Sequence, residues 1–185
     1  MATRIITGYT GQRHITAKDD SQVWRAILGK DTEAYILPFG SELAAEMPSI
    51  NEFQISDGWV SLQGRMIVNA QETLAVDICA SGNVRIDLVV IRYTIDSSSN
   101  VEAAELMLLK GTEVDASNTP VAPAVNSGDI DSGATIVDMP LYEIHLAGGT
   151  VTFEQLAEVV TASLEDCFIT EETKAVYRAL GWTEE

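Results

Sequence analysis

The residues best suited to chemistry are two histidines and two cysteines, and their spacing decides whether they form a site. His14 and His145 lie far apart, and neither has a neighbouring Cys, His or paired acid at a ligand spacing. We therefore interpret both as ordinary surface or strand histidines. Cys79 and Cys167 lack a C-x-x-C arrangement, which predicts two buried free thiols in a protein made in a reducing cytoplasm; one distant disulfide is the alternative.

Two acids in one turn are the next candidate site. Asp129 and Asp131 alternate in the phrase SGDIDSG, which resembles the start of a calcium loop but lacks its terminal bidentate glutamate. The same pair could serve as the two carboxylates of a glycosidase, yet a flexible, glycine-bounded turn offers no apolar wall to keep one acid protonated. The sequence therefore predicts a solvated turn without a metal or a catalytic role.

Charged residues on predicted strands suggest either acid–base or carbohydrate chemistry. They are Arg65, Arg85, Asp87 and Arg92. On strands, such residues more often form exposed cross-strand ion pairs that add only a fraction of a kcal/mol to stability. We adopt that interpretation for all four.

Three tryptophans could stack on sugar rings, but nothing in the sequence places Trp24, Trp59 and Trp182 together. Core or interface positions are more common for this residue. The chain also has no G-x-S-x-G nucleophile elbow and no Gly-rich phosphate loop after a strand. We predict no catalytic residue, no cofactor and no metal ligand, and hence a protein that is not an enzyme.

The composition indicates a folded, strongly acidic chain. Of its 185 residues, 46% are hydrophobic, and 28 acidic against 11 basic residues give a formal charge of −17. Phosphate backbones and anionic membrane surfaces would repel such a surface, so we expect neither nucleic acid nor membrane as a partner. The beginning of the chain lacks an apolar signal core, and no apolar run reaches the roughly 20 residues that span a bilayer.

Alternating apolar residues predict strands up to about residue 150. The best-marked pair is a hairpin over Arg85–Gly111, whose second half (Val101–Leu109) has a helix-favouring composition but is better interpreted as a strand, because its β-branched neighbour needs a partner. Gly64 predicts a bulge or a close backbone approach. A short helix capped by Asp20 or Ser21 precedes these strands.

After residue 150 the spacing changes to that of helices. Phe153, Leu156, Val160 and Leu164 form one apolar stripe behind a capping threonine, and a second helix follows it. We predict a mainly β (α+β) protein with a β-sandwich-like antiparallel domain in 1–150 and two C-terminal helices in 151–185. An open sheet covered by helices is the alternative. The four stripe residues are the candidate oligomer interface.

Four phrases of the chain resemble, in order, a family of small tail or baseplate structural proteins. These proteins are encoded in siphophages and prophages of gut Firmicutes and Actinobacteria. The phrases are ITGYTGQRHITAKDD, GSELAAEMPSINEFQISDGWVSLQGR, RIDLVVIRYT with VEAAELMLLKG, and GATIVDMPLYEIHLAG. The similarity covers residues 1 to about 150, and the last 35 residues fit the family less well.

The resemblance implies a non-enzymatic component of a host-recognition organelle. Such a protein would be made in the bacterial cytoplasm and assembled into the virion tail as a trimer or hexamer beside other tail or baseplate proteins. A carbohydrate-binding module that contacts the host surface through tryptophan and acidic side chains is the alternative, and an enzyme is the weakest hypothesis.

Overall fold

Three antiparallel sheets and one α-helix make up the fold in the computed structural model, which describes residues 15–28 and 34–160. The helix is α1 (Ala17–Leu28), and a single 3-10 turn spans Ile130–Ser132. The strands are β1 (Ala34–Gly40), β2 (Ala45–Ser49), β3 (Glu52–Ile55), β4 (Gly58–Leu62), β5 (Arg65–Asn69), β6 (Glu72–Ala75), β7 (Asn83–Asp96), β8 (Val101–Leu109), β9 (Val114–Asp115), β10 (Ile136–Ala147) and β11 (Thr150–Gln155). Sheet A has the order β1–β4–β5, sheet B β2–β3–β6 and sheet C β11–β10–β7–β8, with β9 paired to the start of β7.

β7 is a central strand of sheet C because both of its faces are apolar. Residues 88–91 are all buried, and the strand pairs with β10 on one side and with β8 on the other. The β7–β8 register begins with Leu88 opposite Leu109. This confirms the hairpin predicted for Arg85–Gly111, because pairing with an apolar neighbour overrides the helix preference of the second strand.

The core-facing residues of β10 change from odd-numbered to even-numbered positions halfway along the strand. Pro140 and Tyr142 pair with adjacent residues of β7, so Leu141 is the extra residue of a β-bulge. The buried apolar residues of β10 are Val137, Met139 and Leu141 before the shift, and Tyr142, Ile144 and Leu146 after it. Because of the bulge, Glu143 and His145 fall on the outer face of sheet C.

One core joins the three sheets. Sheet A contributes Ile36 and Val60, sheet B contributes Phe53 and Ile55, and all four side chains are fully buried. They pack with the buried residues of β7 and β10. Burial of each such side chain is worth about 1.5–3 kcal/mol. The sheets are therefore held together mainly by apolar contacts.

α1 begins at a capping box that lies earlier than the predicted cap. The hydroxyl of Thr16 accepts from the N–H of Asp19, and the carboxylate of Asp19 accepts from the N–H of Thr16 at 2.9 Å. The prediction of a cap at Asp20 or Ser21 was therefore wrong. The helix lies against the β4–β5 turn, where a Cβ on Gly64 would collide with the carbonyl of Ser21, which confirms the close approach predicted there.

The first of the two predicted C-terminal helices is wrong. Thr150–Gln155 is strand β11, which pairs with β10 from Ala147 opposite Thr150 to Tyr142 opposite Gln155. Threonine and valine favour strands, and Gly148, with a φ of +56°, makes the tight turn that folds β11 back. The residues of this segment fit both a helical and a strand spacing, and pairing with the edge of β10 selects the strand.

The predicted architecture needs correction although its β-rich character is confirmed. Three sheets around one core replace the two-sheet sandwich, and α1 stands before the strands while no second α-helix occurs in 34–160. The second predicted C-terminal helix falls within 161–185, outside the described residues. No helix in the described part of the chain is long and apolar enough to cross a membrane.

Candidate functional site

An exposed apolar surface lies on the outer face of sheet A. It consists of Phe39, Trp59 and Val68, which are 57%, 40% and 60% exposed, and we name it the Trp59 face. Trp59 and Val68 are direct cross-strand neighbours on β4 and β5. The rings of Phe39 and Trp59 meet edge to face with centroids 5.8 Å apart. A contiguous exposed patch of this kind marks a contact surface more often than scattered apolar residues do.

The two edges of sheet A differ in a way that bears on this surface. On the β1 edge, Ile36 donates to the carbonyl of Glu158, and Val160 donates to the carbonyl of Ile36. The last described residues thus cover that edge. On the other edge, β5 pairs with no further strand of the described chain. The Trp59 face therefore ends at a strand whose outer backbone groups can accept a pairing partner.

The three described residues of the candidate oligomer interface, Phe153, Leu156 and Val160, do not share one surface. Phe153 faces inwards from β11, where its ring packs edge to face against those of Phe53 and Tyr142 at 5.2 Å and 5.9 Å. Leu156 is 43% exposed and lies beyond the end of the strand. Val160 pairs with β1, and Leu164 lies outside the described residues.

The two aspartates of the SGDIDSG turn bind arginines. Arg25 contacts Asp129 at 3.0 Å and Asp131 at 3.4 Å, while Arg65 contacts Asp131 at 3.0 Å. A hydrogen bond from Ser132, followed by that from Arg25, lowers the pKa of Asp129. This network anchors the turn to α1 and β5, while the Asp129 side chain stays 41% exposed.

A pocket of about 340 Å³ opens beside this network. Arg65, Tyr93 and Glu102 line it together with the 3-10 turn. The Tyr93 hydroxyl donates to Glu102 at 2.9 Å, and burial together with this contact raises the pKa of Tyr93 to about 12. The tyrosine therefore stays protonated at neutral pH. Arg65 is paired with Asp131 and Glu102 in this pocket, and Lys18 donates to the Asp131 carbonyl at 3.1 Å.

Arg85 and Asp87 form a buried ion pair, so the prediction of an exposed cross-strand pair was wrong for them. Both stand on β7 and point into the core, with side chains 1% and 0% exposed. Arg92 instead pairs across strands with Asp138 on β10, at 2.6 Å and 2.9 Å. These pairs hold strands and loops in place, which is a structural role.

His145 has the acidic neighbours that the sequence interpretation denied it. Glu143 stands two residues earlier on the same face of β10, and Glu154 lies on β11 directly opposite Glu143. The imidazole Nε2 is 3.3 Å from the carboxylate of Glu143 and 3.7 Å from that of Glu154. The spacing E-I-H on a predicted strand could have revealed the first contact. His14 lies outside the described residues.

The remaining predicted residues are dispersed. Trp24 is half-buried on α1, Trp59 lies on the face described above, and Trp182 is outside the described part of the chain. Cys79 is buried and free, and burial raises the pKa of its thiol. Phe39 and Val68 were missed by the sequence interpretation, although the β4–β5 hairpin places Val68 next to Trp59.

No family model matches the chain, and no curated protein matches it.

Proposed function

We propose that this chain is a non-enzymatic structural subunit of a bacteriophage or prophage tail baseplate. The observation that carries the proposal is the Trp59 face, an uncharged apolar surface on a chain of net charge −17. The assignment to a tail baseplate rests on the resemblance of the strand and turn phrases in residues 1–150 to tail and baseplate proteins. The subunit is made in the bacterial cytoplasm and joins the virion tail with other tail proteins.

The occupant that we assign to the Trp59 face is a second copy of this chain. Like charges repel two copies wherever their acidic surfaces meet, but Phe39, Trp59 and Val68 carry no charge. The face continues to β5, whose outer edge can pair with β5 of another copy about a twofold axis. Apolar contact and backbone pairing then act at the same place. Because a twofold contact closes on itself, a ring would need a second, different contact with further copies or with other tail proteins.

A carbohydrate-binding module remains the alternative function, and the surroundings of Trp59 argue against it. Sugar sites combine an aromatic ring with polar groups that bind hydroxyls. The cross-strand neighbours of Trp59 are Leu37 and Val68, both apolar. A protein partner matches that environment better than a saccharide does.

The self-association is tested by light scattering coupled to gel filtration. Wild type should show a mass above that of a monomer that rises with concentration, and Val68→Lys should return the monomer because it buries a charge at the contact. Val121→Lys is the matched control, since Val121 is 76% exposed in the loop after β9, away from sheet A. A monomeric wild type at high concentration contradicts assembly through copies of the chain.

Membership of a phage tail is tested on particles released from the source bacterium after prophage induction. Mass spectrometry of purified particles should detect this chain in a constant ratio to tail proteins, and its absence from them contradicts the proposal. A glycan array tests the alternative. Saturable binding that Trp59→Ala abolishes would favour the carbohydrate-binding module instead.

A further inference from the structure

We propose that Glu143, His145 and Glu154 bind one divalent transition-metal ion. Each residue offers one ligand atom, and the three atoms lie within 4.8 Å of one another. The imidazole Nε2 lies between the two carboxylates, at 3.3 Å and 3.7 Å. Metal–ligand bonds of about 2.0–2.2 Å bring ligand atoms to roughly this separation around a tetrahedral ion. A small side-chain movement is enough to close the site.

The strands preorganise the three ligands. Glu143 and His145 are two residues apart on β10, so they share its outer face, and Glu154 is the cross-strand partner of Glu143. On the opposite face, Ile144 is fully buried and Phe153 packs in the aromatic cluster. The backbone under the ligands is therefore fixed by the core. Only side-chain rotamers have to adjust when an ion binds.

The charges around the site favour a cation. Two carboxylates directly opposite each other on neighbouring strands repel, and such pairs are ordinarily relieved by an arginine or a lysine. In residues 15–28 and 34–160, the ion-pair contacts of Glu143 and Glu154 are those with His145. Elsewhere in sheet C, Asp138 is paired with Arg92 and Asp87 with Arg85. A bound divalent ion would relieve this repulsion.

The ligand set indicates which metal fits. One imidazole nitrogen and two carboxylate oxygens suit Zn²⁺ and its first-row neighbours, whereas Mg²⁺ and Ca²⁺ prefer an all-oxygen shell. Three protein ligands leave one position of a tetrahedral ion for water. A second pocket of about 340 Å³ shares His145 and Thr152 and is closed on one side by the loop around Pro120. It gives that water access to solvent.

Metal binding would fasten the edge of sheet C. β11 is the outermost strand, and it is held to β10 by one ladder and by Phe153. An ion that joins Glu154 on β11 to Glu143 and His145 on β10 adds a cross-link between the two strands. The ion also leaves the Trp59 face on sheet A untouched, so this inference stands apart from the proposed assembly.

The test is isothermal titration of ZnCl₂ into the metal-stripped full chain without an affinity tag. One Zn²⁺ per chain should bind, and the melting temperature should rise with the ion. His145→Gln and Glu154→Gln should each weaken binding at least about tenfold, because loss of even an outer-shell partner typically costs that much. MgCl₂ should bind far more weakly. Both variants alter side chains that are 41% and 62% exposed, so circular dichroism should find them folded.

Two matched controls separate the site from adventitious binding. His14→Gln removes the other histidine of the chain, and Glu105→Gln removes an exposed acid of β8; both should bind Zn²⁺ as wild type does. Equal affinity of wild type and His145→Gln overturns the proposal, as does the absence of binding at millimolar Zn²⁺. A stoichiometry of one ion per two chains overturns it in favour of a site between copies.

Discussion

Arg85 and Asp87, two residues apart on β7, form a two-point ion pair that is buried at one end of the core. Arg85 donates to the two carboxylate oxygens at 2.7 Å and 2.9 Å. Asp87 also accepts from the N–H of Gly111 at 2.8 Å, and Arg85 donates to the carbonyl of Asp77. The hydrogen bond with Asp87, which outweighs burial, raises the pKa of Arg85. The pair thus joins β7 to the segments on both sides of it.

Breaking this pair should destabilise the protein more than replacing it. Asp87→Asn removes the two-point partner of the buried Arg85 guanidinium and leaves it the longer contact with Glu113 at 3.8 Å, which should lower the free energy of unfolding by about 3–5 kcal/mol. The double variant Arg85→Met with Asp87→Leu removes both charges and should lose less. Urea denaturation measures all three proteins. A double variant that is less stable than Asp87→Asn would show that the pair contributes more than its own desolvation.

Gly64→Ala should detach α1 from the β4–β5 turn. A Cβ at this position collides with the backbone of Ser21, and a φ of +78° adds a penalty of about 1–2 kcal/mol. Gly82→Ala is the matched control, because its φ of +86° carries the same penalty but its Cβ would meet nothing within 4 Å. Urea denaturation should find the first variant the less stable of the two. Hydrogen exchange should locate the additional loss in α1; equal losses in both variants would contradict the close packing.

Asp138 should make the protein sensitive to acid. Burial raises the pKa of this carboxyl, but hydrogen bonds from Arg92 and Asn126 outweigh burial and hold it below the ordinary value of 3.8. The unfolded state therefore binds the proton first as the pH falls, and stability is lost near and below that value. Asp138→Asn should flatten the dependence of unfolding free energy on pH in this range.

Phe153→Ala should destabilise the fold without changing the mass of the assembly. The ring lies 5.2 Å from that of Phe53 and 5.9 Å from that of Tyr142, so its removal leaves a cavity worth about 3–5 kcal/mol. Leu156→Ala, at a 43% exposed position, should cost far less. Thermal melting and light scattering measure the two effects. Loss of mass with unchanged stability would restore the interface predicted from the sequence.

Local patterns predicted the elements whose pairing is also local. The β7–β8 hairpin is closed by the short turn after Asp96, and its first strand is apolar on both faces, so few other arrangements bury it. Gly64 was recognisable as a close approach because a glycine inside a strand pattern needs a reason. The identity of its neighbour, α1, could not be predicted, since that contact depends on tertiary packing.

β11 could not be predicted from its own residues. Phe153, Leu156 and Val160 have helical spacing, while Val151 and Phe153 also have the alternation of a strand. The edge of β10 and the aromatic cluster decide the outcome, and both are distant in the sequence. Glu154 could not be recognised as a candidate metal ligand from the sequence. It lies opposite Glu143 only because β11 is a strand.

Part of the Trp59 face could have been predicted from the sequence. Gln63 and Gly64 both have positive φ, which makes a two-residue hairpin turn with Leu62 opposite Arg65. That register alone places Trp59 opposite Val68. The contribution of Phe39 could not be foreseen in the same way, because β1 reaches β4 through a loop and an irregular register.

The bridge between Ile36 and Val159 has a consequence for the order of folding during synthesis. β1 is synthesised before the segment that covers its edge, which follows more than a hundred residues later. Closing so large a loop is slow, because its entropic cost precedes any gain from the contact. A nascent chain therefore carries an open edge at β1 until residues 158–160 have been synthesised, and during that time the edge is available for pairing with other chains.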